Sequence, residues 1–89
     1  MGEDPLLTSV MAAAYVKGLQ RNGIIATPKH FLGNDQDFCR HIANSIIDER
    51  TLREVYLLPW ERMIAEAGCL GIMTGNNLTN GLPCPMNKP

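Results

Sequence analysis

Apolar residues recur at helical spacing in the first quarter of the chain. Asp4 and Pro5 form a helix-start signal, because Asp4 supplies a capping oxygen and Pro5 has a preset φ and no N–H to satisfy. Gly23 supplies a stop signal. The pattern predicts a helix over about 5–21, with one apolar face directed at the core. That face contains Leu6, Leu7, Val10, Met11, Ala14, Tyr15 and Leu19.

A second helical pattern occupies the middle of the chain, over about 49–67. Asp48 can cap this helix, and Glu49 suits the positive N-terminal end. Pro59 lies inside the pattern and lacks an N–H, so we expect a kink or a restart near Leu58. The apolar positions of this helix are Leu52, Val55, Tyr56, Met63, Ile64 and Ala67.

Two short apolar runs, over about 24–27 and 69–74, are predicted to be buried strands because neither alternates with polar residues. Residues 28–47 show no period and are predicted to form a long loop, which is usually either functional or disordered. A strand–helix–strand order joins parallel strands through a right-handed crossover. The segments after Thr27 and Thr74 should therefore meet at one sheet edge, where α/β folds build their sites.

The number of elements is too small for a complete α/β domain. Two strands and two helices cannot cover both faces of a parallel sheet. The sequence therefore predicts an α/β unit of parallel strands with flanking helices that is a fragment of a larger domain.

Charge and composition restrict the partners. Eight basic and nine acidic residues give a net charge of −1 with no basic stripe, so we expect no nucleic-acid partner. No apolar run approaches the roughly 20 residues that span a bilayer, so we expect no membrane partner. Three cysteines, Cys39, Cys69 and Cys84, form an odd and sparse set that favours a reducing, cytoplasmic compartment.

Candidate chemistry is concentrated after the first predicted strand. Lys29 and His30 form a donor pair suited to hydroxyls or to developing negative charge. The alternative is a surface lysine beside a hydrogen-bonded histidine, and spacing alone favours that alternative. Asp35 and Asp37 could act as paired carboxylates in glycosidic or hydrolytic chemistry. Spacing alone again favours another interpretation, in which they cap a turn.

No metal or cofactor is implied by the sequence. His30, Cys39 and His41 can be interpreted as ligands of a transition metal, but their spacing matches neither a helical nor a finger-like site. Asn77-Leu78-Thr79 is a formal glycosylation sequon, which would matter only in a secreted protein.

Several blocks, taken together and in order, resemble the β-glucosidase branch of glycoside hydrolase family 3. The resemblance covers nearly the whole chain. Its blocks are Gly2-Glu3-Asp4-Pro5 with 12–20, Ala26-Thr27-Pro28-Lys29-His30-Phe31, Gly33-Asn34-Asp35-Gln36, 48–54 with Tyr56-Leu57, and Met73-Thr74 with Asn77 and 80–84.

This resemblance implies that residues 1–89 are an internal fragment of the family's N-terminal (β/α)8 barrel domain, which has roughly 250 residues when whole. It also implies retaining hydrolysis of a β-glycoside through a covalent glycosyl–enzyme intermediate. The family's nucleophile lies in a later Ser-Asp-Trp block, and its acid/base in this branch comes from a later domain. The chain would therefore contain no catalytic residue and would be inactive in isolation.

What the chain would contribute is binding of the sugar. Lys29 and His30 match positions that hydrogen-bond sugar hydroxyls, and Met73 matches a residue that packs beside the sugar. Asn76 stands where the family usually has a tyrosine, which puts rate or specificity in question. Arg40 belongs to a loop stretch with a role in loop order and possible sugar contact. The implied partners are a β-linked glucoside or oligosaccharide and the rest of the barrel with its following domain.

Two alternatives remain. The family's β-N-acetylglucosaminidase branch shares Lys-His-Phe but continues with Pro-Gly-His-Gly and an Asp-Ser-His acid/base, whereas this chain reads Leu32-Gly33-Asn34-Asp35 and then Phe38-Cys39-Arg40-His41. That departure favours the glucosidase branch. The other alternative, from a different functional class, is a non-catalytic carbohydrate-binding or assembly module.

Overall fold

Helices and short strands alternate along the computed structural model, which describes residues 2–88. Within that range, no helix is both long and apolar enough to cross a membrane. The elements are α1 (Pro5–Arg21), β1 (Lys29–Phe31), β2 (Asn44–Ser45), α2 (Glu49–Thr51), a π-helix (Leu52–Leu57), α3 (Leu58–Ala65), β3 (Met73–Thr74), β4 (Leu78–Thr79), β5 (Leu82–Pro83) and a 3₁₀ helix (Cys84–Met86).

The strands form two small sheets. In the first, β1 and β3 are parallel, with Lys29 opposite Met73 and Phe31 opposite Thr74. The register shifts between Lys29 and Phe31, and the Lys29–His30 and Phe31–Leu32 peptide bonds are cis. In the second sheet β2 pairs parallel with β4, which pairs antiparallel with β5. The architecture is therefore a small α/β unit with few strands.

The predicted strand boundaries were wrong. The runs 24–27 and 69–74 were expected to be strands, but the β-ladder is confined to Lys29–Phe31 and Met73–Thr74. Ile24 and Ile25 are 54% and 65% exposed, so this apolar run is not a buried strand. The two runs do lie side by side, since Cys69 Sγ approaches the Ala26 carbonyl at 3.7 Å, but they make no ladder there.

The predicted long loop over 28–47 is also not structureless, because it contains β1 and β2. Its turn is closed by a side chain: the Ser45 hydroxyl donates to the Gly33 carbonyl at 2.6 Å. Gly33 has φ +75°, a left-handed conformation that glycine adopts without a Cβ penalty. Side-chain and backbone bonds of this kind leave no hydrophobic period, so periodicity did not reveal them.

Helix α1 begins where the capping signal lies, since Asp4 Oδ1 accepts the Leu6 and Leu7 amides at 2.8 and 3.0 Å. The face that it buries is not the predicted one. The buried residues are small, and they let α1 approach α3 closely, whereas the larger apolar residues point away from the rest of the chain. The buried set is Ser9, Ala12, Ala13 and Val16, and Leu6, Leu7, Val10, Met11 and Tyr15 are 51–64% exposed.

The core lies between α1, α3 and the segments that lead into β1 and β3. Buried Ala12, Val16, Ala26 and Met63 form it, and Leu19, Trp60, Ala67 and Cys69 pack against it while partly buried. Trp60 also meets Phe31 edge to face, with ring centroids 5.2 Å apart. The end of β1 is thereby fixed against α3.

The helical stretch over 49–65 changes type next to its proline. The π-helix ends at Leu57, and α-helical geometry restarts at Leu58, with Pro59 in the first turn. Because Pro59 has no N–H, the regular i→i−4 bond to Val55 cannot form. A wider π turn accommodates that loss, and such turns are frequent at functional sites.

The cap of α2 leads to a prediction about pH. The Thr51 hydroxyl and amide donate to Asp48 at 2.7 and 3.0 Å, and these bonds hold the pKa of Asp48 below its usual 3.8. A lowered folded-state pKa stabilises the fold above the unfolded value, and that contribution is lost as pH falls through the folded value. Asp48→Asn should cap without titrating. In urea denaturation of the protein that contains this chain, the free energy of unfolding should therefore fall less from about pH 5 to about pH 2 in Asp48→Asn than in the wild type. Parallel plots of this free energy against pH would contradict the prediction.

Candidate functional site

The parallel pairing of β1 with β3 brings two predicted site residues together, each at the first position of its strand. Lys29 is the register partner of Met73, and the Met73 amide donates to the Pro28 carbonyl at 3.0 Å. One step further, the Gly75 amide donates to the Phe31 carbonyl at 2.6 Å. The Lys-His pair and Met73 therefore lie side by side within the sheet, and not after its strands as the sequence predicted.

The two cationic side chains differ in environment. Lys29 is exposed and makes no ion pair with any residue in the range 2–88. His30 is half-buried, and its Nδ1 lies 3.4 Å from Asn34 Nδ2. Since an amide NH₂ can only donate, Nδ1 accepts this bond and the ring proton is left on Nε2. His30 can then donate to a hydroxyl from Nε2.

A cleft of about 670 Å³ lies between the start of α1, β1 and the helical stretch that contains the π-helix. It combines donors, an acceptor and aromatic surface, which is the usual make-up of a small-molecule site. Its lining includes Lys29, His30, Asp35, Tyr56, Trp60 and Met63.

Tyr56 and Asp35 form a hydrogen bond that sequence patterns did not reveal. The Tyr56 hydroxyl donates to Asp35 Oδ2 at 2.8 Å. That bond, together with desolvation and the charge of Asp35, raises the pKa of Tyr56 above its usual 10.0. The helical period placed Tyr56 on an apolar face and turn propensity made Asp35 a cap, and neither signal reports a contact across 21 residues.

Three other predicted residues, Met73, Arg40 and Asn76, lie outside the lining of that cleft. Arg40 pairs with Asp37 at 3.0 Å, and both side chains are exposed, so Arg40 braces its own turn. Asn76 is exposed, and its Nδ2 lies 3.5 Å from His41 Nδ1. In the described range 2–88, no group of three or more His, Cys, Asp and Glu residues is placed to hold a metal ion.

The sequon asparagine is closed to modification in this fold. Asn77 is 1% exposed, and its Nδ2 donates to the Leu32 carbonyl at 3.0 Å. The Thr79 hydroxyl donates to the same carbonyl at 3.2 Å. These buried bonds hold the segment that follows β1 against β4, so the sequon has a structural role instead.

Comparisons with a family profile, with curated proteins and with solved structures all match this chain to one family. The profile described as "Glycosyl hydrolase family 3 N terminal domain" matches residues 1–89. Beta-glucosidase B of Emericella nidulans is 48% identical over 86 residues, which cover 97% of this chain and 10% of that protein. The chain thus spans about a tenth of the curated relatives that it matches.

Solved structures agree as well. A beta-glucosidase from Kluyveromyces marxianus in complex with glucose has a TM-score of 0.92 at 44% identity, over 94% of this chain and 10% of that one. Beta-glucosidase 3B from Thermotoga neapolitana, also in complex with glucose, has a TM-score of 0.91 at 39% identity, over 96% of this chain and 12% of that one. The chain belongs to glycosyl hydrolase family 3, and it lies within the family's N-terminal domain.

Proposed function

We propose that residues 1–89 are part of the (β/α)8 barrel domain of a retaining β-glucosidase-type hydrolase, in which they bind the sugar at the bond to be cleaved. The observation that carries this proposal is the parallel pairing of Lys29 with Met73. This pairing puts Lys29, and with it His30, next to the soft apolar side chain of Met73 in the sheet. Family membership and relatives named beta-glucosidases supply the reaction class.

Each residue has a distinct role in this proposal. The Lys29 ammonium and the His30 Nε2–H donate to hydroxyls of the sugar, while Met73 packs against its apolar face. Asn76 offers an amide where an aromatic wall would otherwise stand. Arg40 acts mainly through Asp37, by keeping the loop after β1 in order.

The bond-breaking groups come from other parts of the protein. Retaining hydrolysis needs two carboxyl groups about 5–5.5 Å apart, one as nucleophile and one as acid/base. The 89 residues contain no Ser-Asp-Trp sequence, the block that holds the nucleophile in this family. This chain would therefore orient the sugar, which lets binding energy be used to align the reacting atoms.

The test is the stereochemistry of hydrolysis by the protein that contains this chain. NMR of the anomeric proton should show a β-configured sugar as the first product from an aryl β-glucoside. An α-configured first product, or no hydrolysis of any β-glycoside, would overturn the proposal. The isolated 89-residue chain should release no sugar in the same assay.

Asn76 supports a second candidate, a non-catalytic carbohydrate-binding or assembly module, because the usual tyrosine is missing. The two candidates differ in the behaviour of the isolated chain. A cooperative thermal melt that shifts upward with added glucose would favour the module, since a ligand that binds only the folded state stabilises it. Sedimentation would show whether such a module self-associates.

A further inference from the structure

The loop after β1 is anchored on both sides of Asn34. On one side the Ser45 hydroxyl donates to the Gly33 carbonyl at 2.6 Å. On the other side Tyr56 donates to Asp35 at 2.8 Å. Asn34 lies between these anchors, with its Nδ2 3.4 Å from His30 Nδ1. A contact of that length depends on how firmly the loop is held, because hydrogen bonds weaken steeply with poor geometry.

The two anchoring hydrogen bonds come from different elements of the fold. Ser45 belongs to β2 and bonds the backbone, so that anchor is part of the second sheet. Tyr56 reaches Asp35 from the π-helix, and both residues line the cleft that also contains Lys29 and His30. The hydroxyl of Tyr56 therefore connects the π-helix to the loop that carries Asp35 and Asn34, and Asn34 in turn contacts the imidazole of His30.

We propose that Tyr56 is a positioning residue of the sugar site, whose hydroxyl holds Asp35 so that Asn34 keeps the His30 imidazole oriented with its proton on Nε2. This inference rests on the proposed function and deepens it. Tyr56 need not touch the sugar, because its effect is transmitted through Asp35, Asn34 and His30 in turn.

The experiment uses the protein that contains this chain and an aryl β-glucoside. Tyr56→Phe removes only the hydroxyl and should lower kcat/KM at least threefold. Asp35→Ala removes the acceptor of that bond and should lower kcat/KM to a similar degree. Tyr15→Phe is the matched control, since Tyr15 lies on α1 outside the lining of the cleft and should lose nothing.

Coupling to His30 separates positioning from general structure. If Tyr56 acts through the imidazole, Tyr56→Phe should cost nothing further in a His30→Ala background. A wild-type rate in Tyr56→Phe, a wild-type rate in Asp35→Ala, or full additivity of Tyr56→Phe with His30→Ala would each overturn the inference. Failure of the proposed function is distinguishable, because His30→Ala and Lys29→Ala would then themselves keep wild-type kinetics.

Discussion

Lys29→Ala and His30→Ala are each expected to lower kcat/KM for an aryl β-glucoside at least tenfold in the protein that contains this chain. Tenfold corresponds to about 1.4 kcal/mol of lost transition-state stabilisation. In the proposed site, each alanine would remove a donor to a sugar hydroxyl and leave that hydroxyl without its partner. Initial rates at low substrate concentration measure the effect directly.

The matched control for Lys29 is Lys17→Ala, which removes the same charge from an exposed position on α1. It should leave kcat/KM within twofold of the wild type. A loss in Lys17→Ala as large as that in Lys29→Ala would mean that net charge, and not contact, explains the result. Unchanged kinetics in both Lys29→Ala and His30→Ala would remove these residues from the site.

The neighbourhood of Lys29 and Met73 was predictable because it depends on topology, although Lys29 and His30 lie within β1 and not after the strand as expected. A strand–helix–strand order forces the two strands to be parallel, and their ends must then share an edge. The pairing of Lys29 with Met73 shows this parallel order. Helix α1 was similarly readable at its start, since Asp4 and Pro5 act on the local backbone.

The buried face of α1 and the hydrogen bonds within the site could not be predicted from the sequence. Hydrophobic periodicity assumes that the largest apolar residues face the core of the same chain. Here small residues are buried, Ala12 among them in the core with Met63 of α3, while Leu6 and Tyr15 stay exposed. The Tyr56–Asp35 bond joins residues 21 positions apart, and no local rule encodes such a contact.

The contact of α1 with α3 leads to the largest expected effect on stability. Met63 is 5% exposed and packs among Ala12, Val16 and Ala26. Met63→Ala leaves a cavity that these small neighbours cannot fill, and such truncations cost about 2–5 kcal/mol. Hydrogen exchange of α1 amides in the protein that contains this chain should accelerate at least tenfold, because the free energy of local opening decreases.

Met63→Leu is the matched control, since it nearly conserves volume and such exchanges usually cost less than about 1.5 kcal/mol. Hydrogen exchange of the α1 amides should therefore accelerate much less in Met63→Leu than in Met63→Ala. If Met63→Ala left exchange in α1 unchanged while accelerating it in α3, the two helices would open independently. In that case α3 would not hold α1 in place. The core between the two helices would then contribute little to fixing β1 and the Lys-His pair within it.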